Sequence, residues 1–244
     1  MELSKVRSRE EIIAQFKDGQ TIAIGGQTNQ YMPDRLIDCL LESGAKHLTV
    51  YSIDSSDPGH GVSLLLENGR VDAMITTHVG TNPLTNQRIQ SGLLKAEFNP
   101  MGTFIERIRC GGWGLGGCLT PTGVGTDVEK GKQKLTINGK EYLLGLPIHG
   151  DVALIKAEKA DTYGNVKFRL TGRATNSYMC YAADCVIVEV EELVEPGELD
   201  PDEIDIPAPV VDMIYVRKGE KKPFCPMWQR AVAKAKAKAA EGGK

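Results

Sequence analysis

Thr21-Ile22-Ala23-Ile24-Gly25-Gly26-Gln27-Thr28-Asn29-Gln30-Tyr31-Met32-Pro33-Asp34 is the stretch from which the architecture follows. Its first four residues form a short apolar run with β-branched members, the pattern of a buried strand. Gly25-Gly26 ends that run. Pro33 and Asp34 open a helix in which Leu36, Ile37, Leu40 and Leu41 recur at helical spacing, and Gly44 closes it. Leu48 to Ile53 is again strand-like. Upstream, Ser8 to Phe16 predicts a short amphipathic helix, with Ser8 and Glu11 spaced as a capping box, and Asp18-Gly19 turns the chain. Helix, strand, glycine-containing loop, helix, strand is the order of a βαβ crossover in a parallel sheet.

The same alternation continues outward. Gly61 to Leu66 reads as helix, Ala73 to Thr77 as strand, Ala96 to Pro100 as strand and Gly102 to Cys110 as helix. A glycine-rich stretch follows, from Gly111 to Gly131. Asn138-Gly139 between Lys134–Ile137 and Lys140–Leu144 predicts a two-residue hairpin. Asp151 to Ala157 reads as a core strand, Asp161 to Asn165 as a turn, Val166 to Leu170 as a half-exposed strand and Asn176 to Ala183 as helix. Cys185 to Val190 reads as a buried strand and Val210 to Val216 as the last one. The expected fold is α/β: one domain over residues 1–229, with a mainly parallel, mixed sheet flanked by helices. An Ala/Lys-rich tail at 230–244 is expected to be a frayed helix.

Composition narrows the function. The chain has 244 residues, 41% apolar and 25% charged, with a net charge of −3. That balance gives no electrostatic reason for nucleic acid as a partner. No run approaches the roughly 18 apolar residues of a membrane span. Met1-Glu2-Leu3-Ser4-Lys5 lacks the apolar core of a signal peptide, so a cytoplasmic location is expected. Six cysteines and four histidines never fall in ligand-like pairs, so no metal site is expected. The cysteines read as small buried hydrophobes.

Three loops are candidate sites. In Gly25, Gly26, Gln27, Thr28, Asn29, Gln30 and Tyr31, two glycines let backbone amides face a ligand, and the helix opening near Pro33 can add its positive end. His78-Val79-Gly80-Thr81-Asn82-Pro83 also follows a strand. His78 there is a candidate base, with Gly80 and Asn82 as cleft-lining residues; a lone histidine at a strand end is more often structural. Arg109 to Thr126 contains a formal G-x-G-x-x-G at Gly112, Gly114 and Gly117. It follows a helix rather than a strand, and Pro121 interrupts any helix beyond it, so a dinucleotide loop is rejected. Gly112 and Gly114 remain candidates for lining a cleft. The carboxylates from Glu189 to Asp205 read as a solvated face.

At this point a resemblance becomes specific. Asp18-Gly19, Gly25-Gly26 with Pro33, His78 to Pro83, Gly102-Thr103, Cys110 to Gly117, Leu119-Thr120-Pro121-Thr122-Gly123-Val124-Gly125-Thr126, Ala182-Ala183-Asp184 and Glu189 to Leu199 resemble the α subunit of family I coenzyme A transferases. Within that family they are closest to the acetate/acetoacetate or butyrate–acetoacetate type. Gln27 and Tyr31 depart from the pattern, which has Phe and Gly there. The resemblance implies the fold that these transferases share with sugar-phosphate isomerases. It implies that CoA moves between a short-chain acyl-CoA and a free carboxylic acid through a glutamyl-CoA thioester, with ping-pong kinetics. The nucleophilic glutamate is then expected on a β subunit, in an α2β2 assembly. This chain carries no catalytic residue on that account. Leu66-Glu67-Asn68-Gly69 lacks the serine of the nucleophile motif. No permanently bound cofactor is expected, with acyl-CoA as substrate. The rival readings are an isomerase-like enzyme on the same scaffold and a non-catalytic acyl-CoA or carboxylate-binding protein.

Overall fold

The protein is seen in a computed structural model, which describes residues 4–218 and, beyond them, Ala233 alone. The remainder of the tail at 230–244, and with it the expectation of a frayed helix, lies outside the described residues.

The elements in chain order are α1 (Arg9–Ile13), β1 (Thr21–Ile24), α2 (Asp34–Ser43), β2 (Leu48–Tyr51), α3 (Gly61–Glu67), β3 (Val71–Thr76), α4 (Pro83–Gln90), β4 (Lys95–Phe98) and α5 (Met101–Gly112). They continue with β5 (Cys118–Thr120), β6 (Lys134–Ile137), β7 (Lys140–Gly145), β8 (Gly150–Asp161), β9 (Val166–Lys167), α6 (Asn176–Met179), β10 (Ala183–Val194) and β11 (Met213–Val216). Eight strands form one sheet in the order β11-β10-β8-β1-β2-β3-β4, with β9 antiparallel to β8 and all other pairs parallel. A small antiparallel sheet, β5-β7-β6, stands apart from it. The mainly parallel, mixed sheet expected from the sequence is therefore present.

Local signals explain where elements begin. Ser8 Oγ accepts the Glu11 N–H while Glu11 accepts the Ser8 N–H, the reciprocal capping box. Asn138 and Gly139 both have positive φ, as a two-residue hairpin between β6 and β7 requires.

Strand alternation divides the core into two layers. Ile22, Ile24, Val152 and Leu154 face one side, where Leu36, Ile37 and Leu40 of α2 and Leu65 and Leu66 of α3 pack. Ala23, Ala153, Ile155 and Val188 face the other, against Phe104 and Ile108 of α5 and Met179 of α6. Each fully buried aliphatic side chain contributes about 1.5–3 kcal/mol. A missing capping bond costs about 1 kcal/mol. Packing therefore sets where α2 lies, although Pro33 gives it no side-chain cap.

The cap comes from far away in sequence. Glu189, on β10, is fully buried and accepts the Arg35 N–H at 2.7 Å and the Leu36 N–H at 3.3 Å. Its other oxygen accepts from Lys156 Nζ at 2.8 Å, and Arg217 lies 3.8 Å away. The solvated-face reading of this carboxylate is corrected: Glu191 and Glu192 are outside, but Glu189 belongs to the interior.

Other boundaries also differ. The strand expected at 166–170 stops at Lys167, because Asp205 accepts the Phe168 N–H at 2.7 Å and Leu170 turns the chain with φ +48° into a 3-10 turn, Leu170–Arg173. The helix expected at 176–183 ends at Met179, since Ala182 O is needed by the Gly150 N–H and the Tyr51 hydroxyl. The final strand starts at Met213, after a 3-10 turn at Ala208–Val210. Helix α4, opened by Asn82 and Pro83, and strand β5 within the glycine-rich stretch were not anticipated.

Removing the Glu189 carboxylate leaves the buried Lys156 with only Glu191, 3.5 Å away, as a carboxylate partner, and deprives the Arg35 and Leu36 N–H groups of their acceptor. Glu189→Ala is expected to lower the unfolding free energy by about 3–5 kcal/mol, read from urea denaturation. The double replacement Lys156→Met, Glu189→Leu should recover part of that loss. A loss below about 1 kcal/mol in the single variant would deny the pair its structural role.

Candidate functional site

The loop between β1 and α2 lies beyond the carboxyl ends of the strands, where open α/β sheets bind ligands. Gln27 and Gln30 exchange both backbone hydrogen bonds, at 3.0 and 2.8 Å, closing a two-residue turn over Thr28 and Asn29. Both have positive φ, +47° and +62°, and Tyr31 follows at +52°. For a β-branched residue such as Thr28 this conformation is strained and persists only where neighbours enforce it. Asp54 does so: its Oδ2 accepts the Thr28 N–H at 2.8 Å and the Thr28 hydroxyl at 3.2 Å. Asp57 accepts from Asn29 Nδ2 at 2.9 Å. Both aspartates are buried.

From the other side the loop rests on the segment after β9. Thr175 Oγ1 accepts the Gly26 N–H at 3.0 Å and donates to Gly26 O. Asn176, fully buried, accepts the Lys156 N–H at 3.1 Å and donates to Gly172 O and Tyr31 O. A Cβ on Gly25 would stand 1.9 Å from Asn176 Oδ1, so glycine is required there for close approach. The Tyr31 ring packs on Gly172. Beneath this bridge is a cavity of about 350 Å³ lined by Gly26, Gln27, Thr28, Gln30, Thr171 and Thr175.

Two expectations about donors are revised. The Gly25 N–H is taken by Leu154 O at 3.0 Å and the Gly26 N–H by Thr175, so the glycines offer no free amide. The positive end of α2 is spent on Glu189. The N–H groups of Asn29 and Tyr31 carry no hydrogen bond among the described residues, and these are the donors the loop retains.

Among the predicted site residues, the structure gathers Gly26, Gln27, Thr28 and Gln30 around the cavity. Asn29 and Tyr31 hold the turn instead, through Asp57 and Gly172. His78 is half-buried, and no bond of its ring is present among the described residues; its backbone bridges to Asp54. Gly80 is exposed. Asn82 is fully buried rather than cleft-lining: it donates to Ser55 O, Ser56 O and Ser63 Oγ and caps α4. Gly112 packs against Tyr181 at the end of α5, and Gly114 is exposed in the turn beyond it; neither borders the cavity under the loop. Glu67 accepts the Gly59 N–H and the Ser63 hydroxyl, both at 2.7 Å. Thr171, Thr175 and Asn176 were missed, because their contact with the loop is long-range and leaves no local pattern.

The site holds no prepared nucleophile of its own. Burial pushes the thiols of Cys39 and Cys185 up to about 11, and raises those of Cys118 and Cys180 as well, so these cysteines stay protonated near neutrality. The Thr28 hydroxyl donates to Asp54 Oδ2 at 3.2 Å, the same oxygen that accepts the Thr28 N–H, so this contact belongs to the turn's support. Among the described residues no cluster of three or more His, Cys, Asp or Glu could hold a metal. No described helix is long and apolar enough to cross a membrane.

Comparison with known proteins places the chain in a family and its fold among solved ones. The coenzyme A transferase family profile matches residues 6–217. The acetate CoA-transferase subunit alpha of Escherichia coli K12 is 47% identical over 218 residues, covering 89% of this chain and 99% of the relative. The acetoacetyl-CoA:acetate/butyrate CoA transferase alpha subunit of Clostridium acetobutylicum is 44% identical over 211 residues, covering 86% and 97%. Among solved structures, an acyl-CoA transferase apoenzyme of Escherichia coli O157:H7 aligns with a TM-score of 0.79 at 20% identity. The match covers 93% of this chain and 50% of that one, so this chain spans half its length. Glutaconate coenzyme A-transferase of Acidaminococcus fermentans gives 0.77 at 22% identity, covering 87% and 75%. At these identities the structural likeness concerns the fold.

The close approach of Gly25 to Asn176 is directly testable. Gly25→Ala is expected to destabilise the chain by about 1–3 kcal/mol, the usual range for overpacking. Asn176→Ala removes the obstacle, so a double-mutant cycle should show a coupling of at least about 1 kcal/mol. Additive effects in urea unfolding would mean that the two residues do not bear on one another.

Proposed function

The chain belongs to the coenzyme A transferase family, and from that premise we propose that it is the α-type subunit of a transferase that exchanges CoA between a short-chain acyl-CoA and a free carboxylic acid. One observation carries this reading. The cavity under the Gly25–Tyr31 loop is lined by amides, hydroxyls and backbone, with no ionisable side chain among its lining residues. Such a surface orients a carboxylic acid or a thioester carbonyl but does not attack it.

The attacking group then comes from a partner chain. A carboxylate of that β-type subunit attacks the acyl-CoA carbonyl, the C–S bond breaks, and CoA leaves as thiolate from a mixed anhydride. The thiolate returns to the partner's carbonyl carbon, giving a glutamyl-CoA thioester and the free donor acid. The acceptor acid reverses both steps, so the kinetics are ping-pong. Charge balances throughout without a proton carrier, which suits a cavity that has none. The side-chain amides of Gln27 and Gln30, which line the cavity, are suitably typed donors for oxygen charge developing in these steps. Acyl-CoA is the substrate, no resident cofactor takes part, and an α2β2 assembly in the cytoplasm is the proposed setting.

The loop is also the proposed selector of the acid. Gln27, Thr28 and Gln30 reach the cavity, and their amide and hydroxyl groups favour an acid with a second polar group over a plain hydrocarbon chain. The rival without turnover, an acyl-CoA-binding protein, shares the cavity but not the need for a partner.

The purified chain alone is expected to show no exchange of isotope-labelled acetate with acetyl-CoA, whereas chain and partner together exchange it. Turnover by the chain alone would overturn the division of labour. Gln27→Phe in the reconstituted pair should shift relative kcat/KM roughly tenfold toward unsubstituted acids. An unchanged preference across a panel of acids would remove Gln27 from selection.

A further inference from the structure

A second cavity, of about 460 Å³, opens between α5 and the small β5-β7-β6 sheet, and its lining includes Arg107, Lys130, Lys132 and Glu97. Arg107 is 7% exposed. Its Nε donates to Leu146 O at 2.6 Å, and its Nη1 donates to Asn99 Oδ1 at 2.6 Å and to Glu97. Its Nη2 makes no hydrogen bond among the described residues. The side chain passes over Gly145, where a Cβ would lie 3.1 Å from Arg107 Cγ, so the small sheet is shaped around it.

Lys132 sits half-buried in the turn before β6. Its backbone is fixed, with its N–H on Glu129 O at 3.0 Å and the next residue's carbonyl accepting the Leu144 N–H at 2.9 Å. Its ammonium has no hydrogen-bond or ion-pair partner among the described residues. The charges around it are otherwise balanced: Glu97 offsets Arg107, and Asp127 pairs with Lys130 at 2.6 Å. Lys132 has no ion pair of its own among the described residues; Glu97, already bonded to Arg107, is the carboxylate whose field reaches it. Burial, and then the nearby Arg107, lower its pKa from the usual lysine value. A cation partly withdrawn from water beside another cation is a state that an anion relieves.

We propose that this cavity is an oxyanion site of the phosphate class, with Lys132 Nζ and Arg107 Nη2 as the donors that meet the ligand. Glu97 lies near the carboxyl end of β4, the end of the sheet that also carries the Gly25–Tyr31 loop. Strands β1 and β4 are three spacings apart, about 14 Å. An extended pantetheine arm spans such a distance. The phosphate groups of the acyl-CoA substrate are one source of the ligand, and this assignment rests on the transferase reading. Free inorganic phosphate is the other, and the site itself does not depend on that reading.

Two measurements decide it. The first titrates inorganic phosphate into the full chain, against sodium chloride of equal ionic strength, and reads thermal stability and binding heat. Phosphate should bind the unaltered chain and the Lys140→Gln control, which removes an equal charge from the exposed hairpin. Lys132→Gln should weaken binding roughly tenfold, as loss of a charge-assisted hydrogen bond does. No phosphate-specific effect, or an effect that survives Lys132→Gln, overturns the proposal. The second uses the reconstituted pair. A roughly tenfold rise in KM for acyl-CoA with Lys132→Gln, and a steady KM for the acid, assigns the site to the substrate's phosphates. An unchanged KM alongside lost phosphate binding assigns it to free phosphate. A pair without turnover sinks the transferase reading and leaves the first measurement to stand alone.

Discussion

A fully buried carboxylate on β10 closes the first turn of a helix that begins more than a hundred residues earlier in the chain. Glu189 accepts two N–H groups of α2 and the ammonium of Lys156, its register partner on β8. A charge in the interior persists only when it is both paired and hydrogen-bonded, and Glu189 has both kinds of partner. The constraint reaches beyond the helix. The backbone N–H of Lys156 is held by Asn176, and Asn176 also reaches Gly172 and Tyr31. One connected set of polar contacts thus ties β10, β8, the 170–176 segment and the Gly25–Tyr31 loop. Moving any one of them exposes a buried polar group in another.

The loop uses that rigidity. Three non-glycine departures into positive φ within four residues, at Thr28, Asn29 and Tyr31, would not persist in a free connection. Here the turn is gripped from opposite sides, by Asp54 and Asp57 on one and by Thr175 and Asn176 on the other. The strain is localised where side chains must be presented at fixed positions over a cavity. Gly25 is glycine because Asn176 occupies the space of its side chain, which makes it a residue of the support and not of the ligand surface.

The fold was legible because its signals are local. Alternating apolar runs, the Ser8–Glu11 box, Gly44 and Asn138-Gly139 each act within a few residues, and each stands where its chemistry requires. The loop's position above the strand ends followed from the same alternation. Its support was not legible, since Thr171, Thr175 and Asn176 meet the loop only after β8 and β9 have been placed beside β1. Glu189 was misread with the acidic run around it. Yet a signal existed: Lys156 and Glu189 are single charges within otherwise apolar runs, Val152–Ala157 and Val186–Val190. Two lone opposite charges in two buried strands are candidates for partners, and a parallel register pairs them directly. Asn82-Pro83, a cap followed by proline at the first helical position, was likewise readable as the start of α4.

The placement of acids around the loop bears on what the cavity can accept. Two carboxylates, Asp54 and Asp57, lie within hydrogen-bonding reach of the turn, yet neither lines the cavity. Two like charges 4 Å apart at an effective dielectric of 20 repel by about 4 kcal/mol. That is enough to cost an anionic ligand roughly three orders of magnitude in affinity. Committing both aspartates to the turn lets them do the structural task, which needs strong acceptors, while the cavity lining stays neutral. The division explains why amides and hydroxyls, not lysine or arginine, meet the proposed acid. A cation there would hold a free carboxylate tightly, and on the proposed exchange, in which one acid is accepted and another released, tight ground-state binding gains nothing.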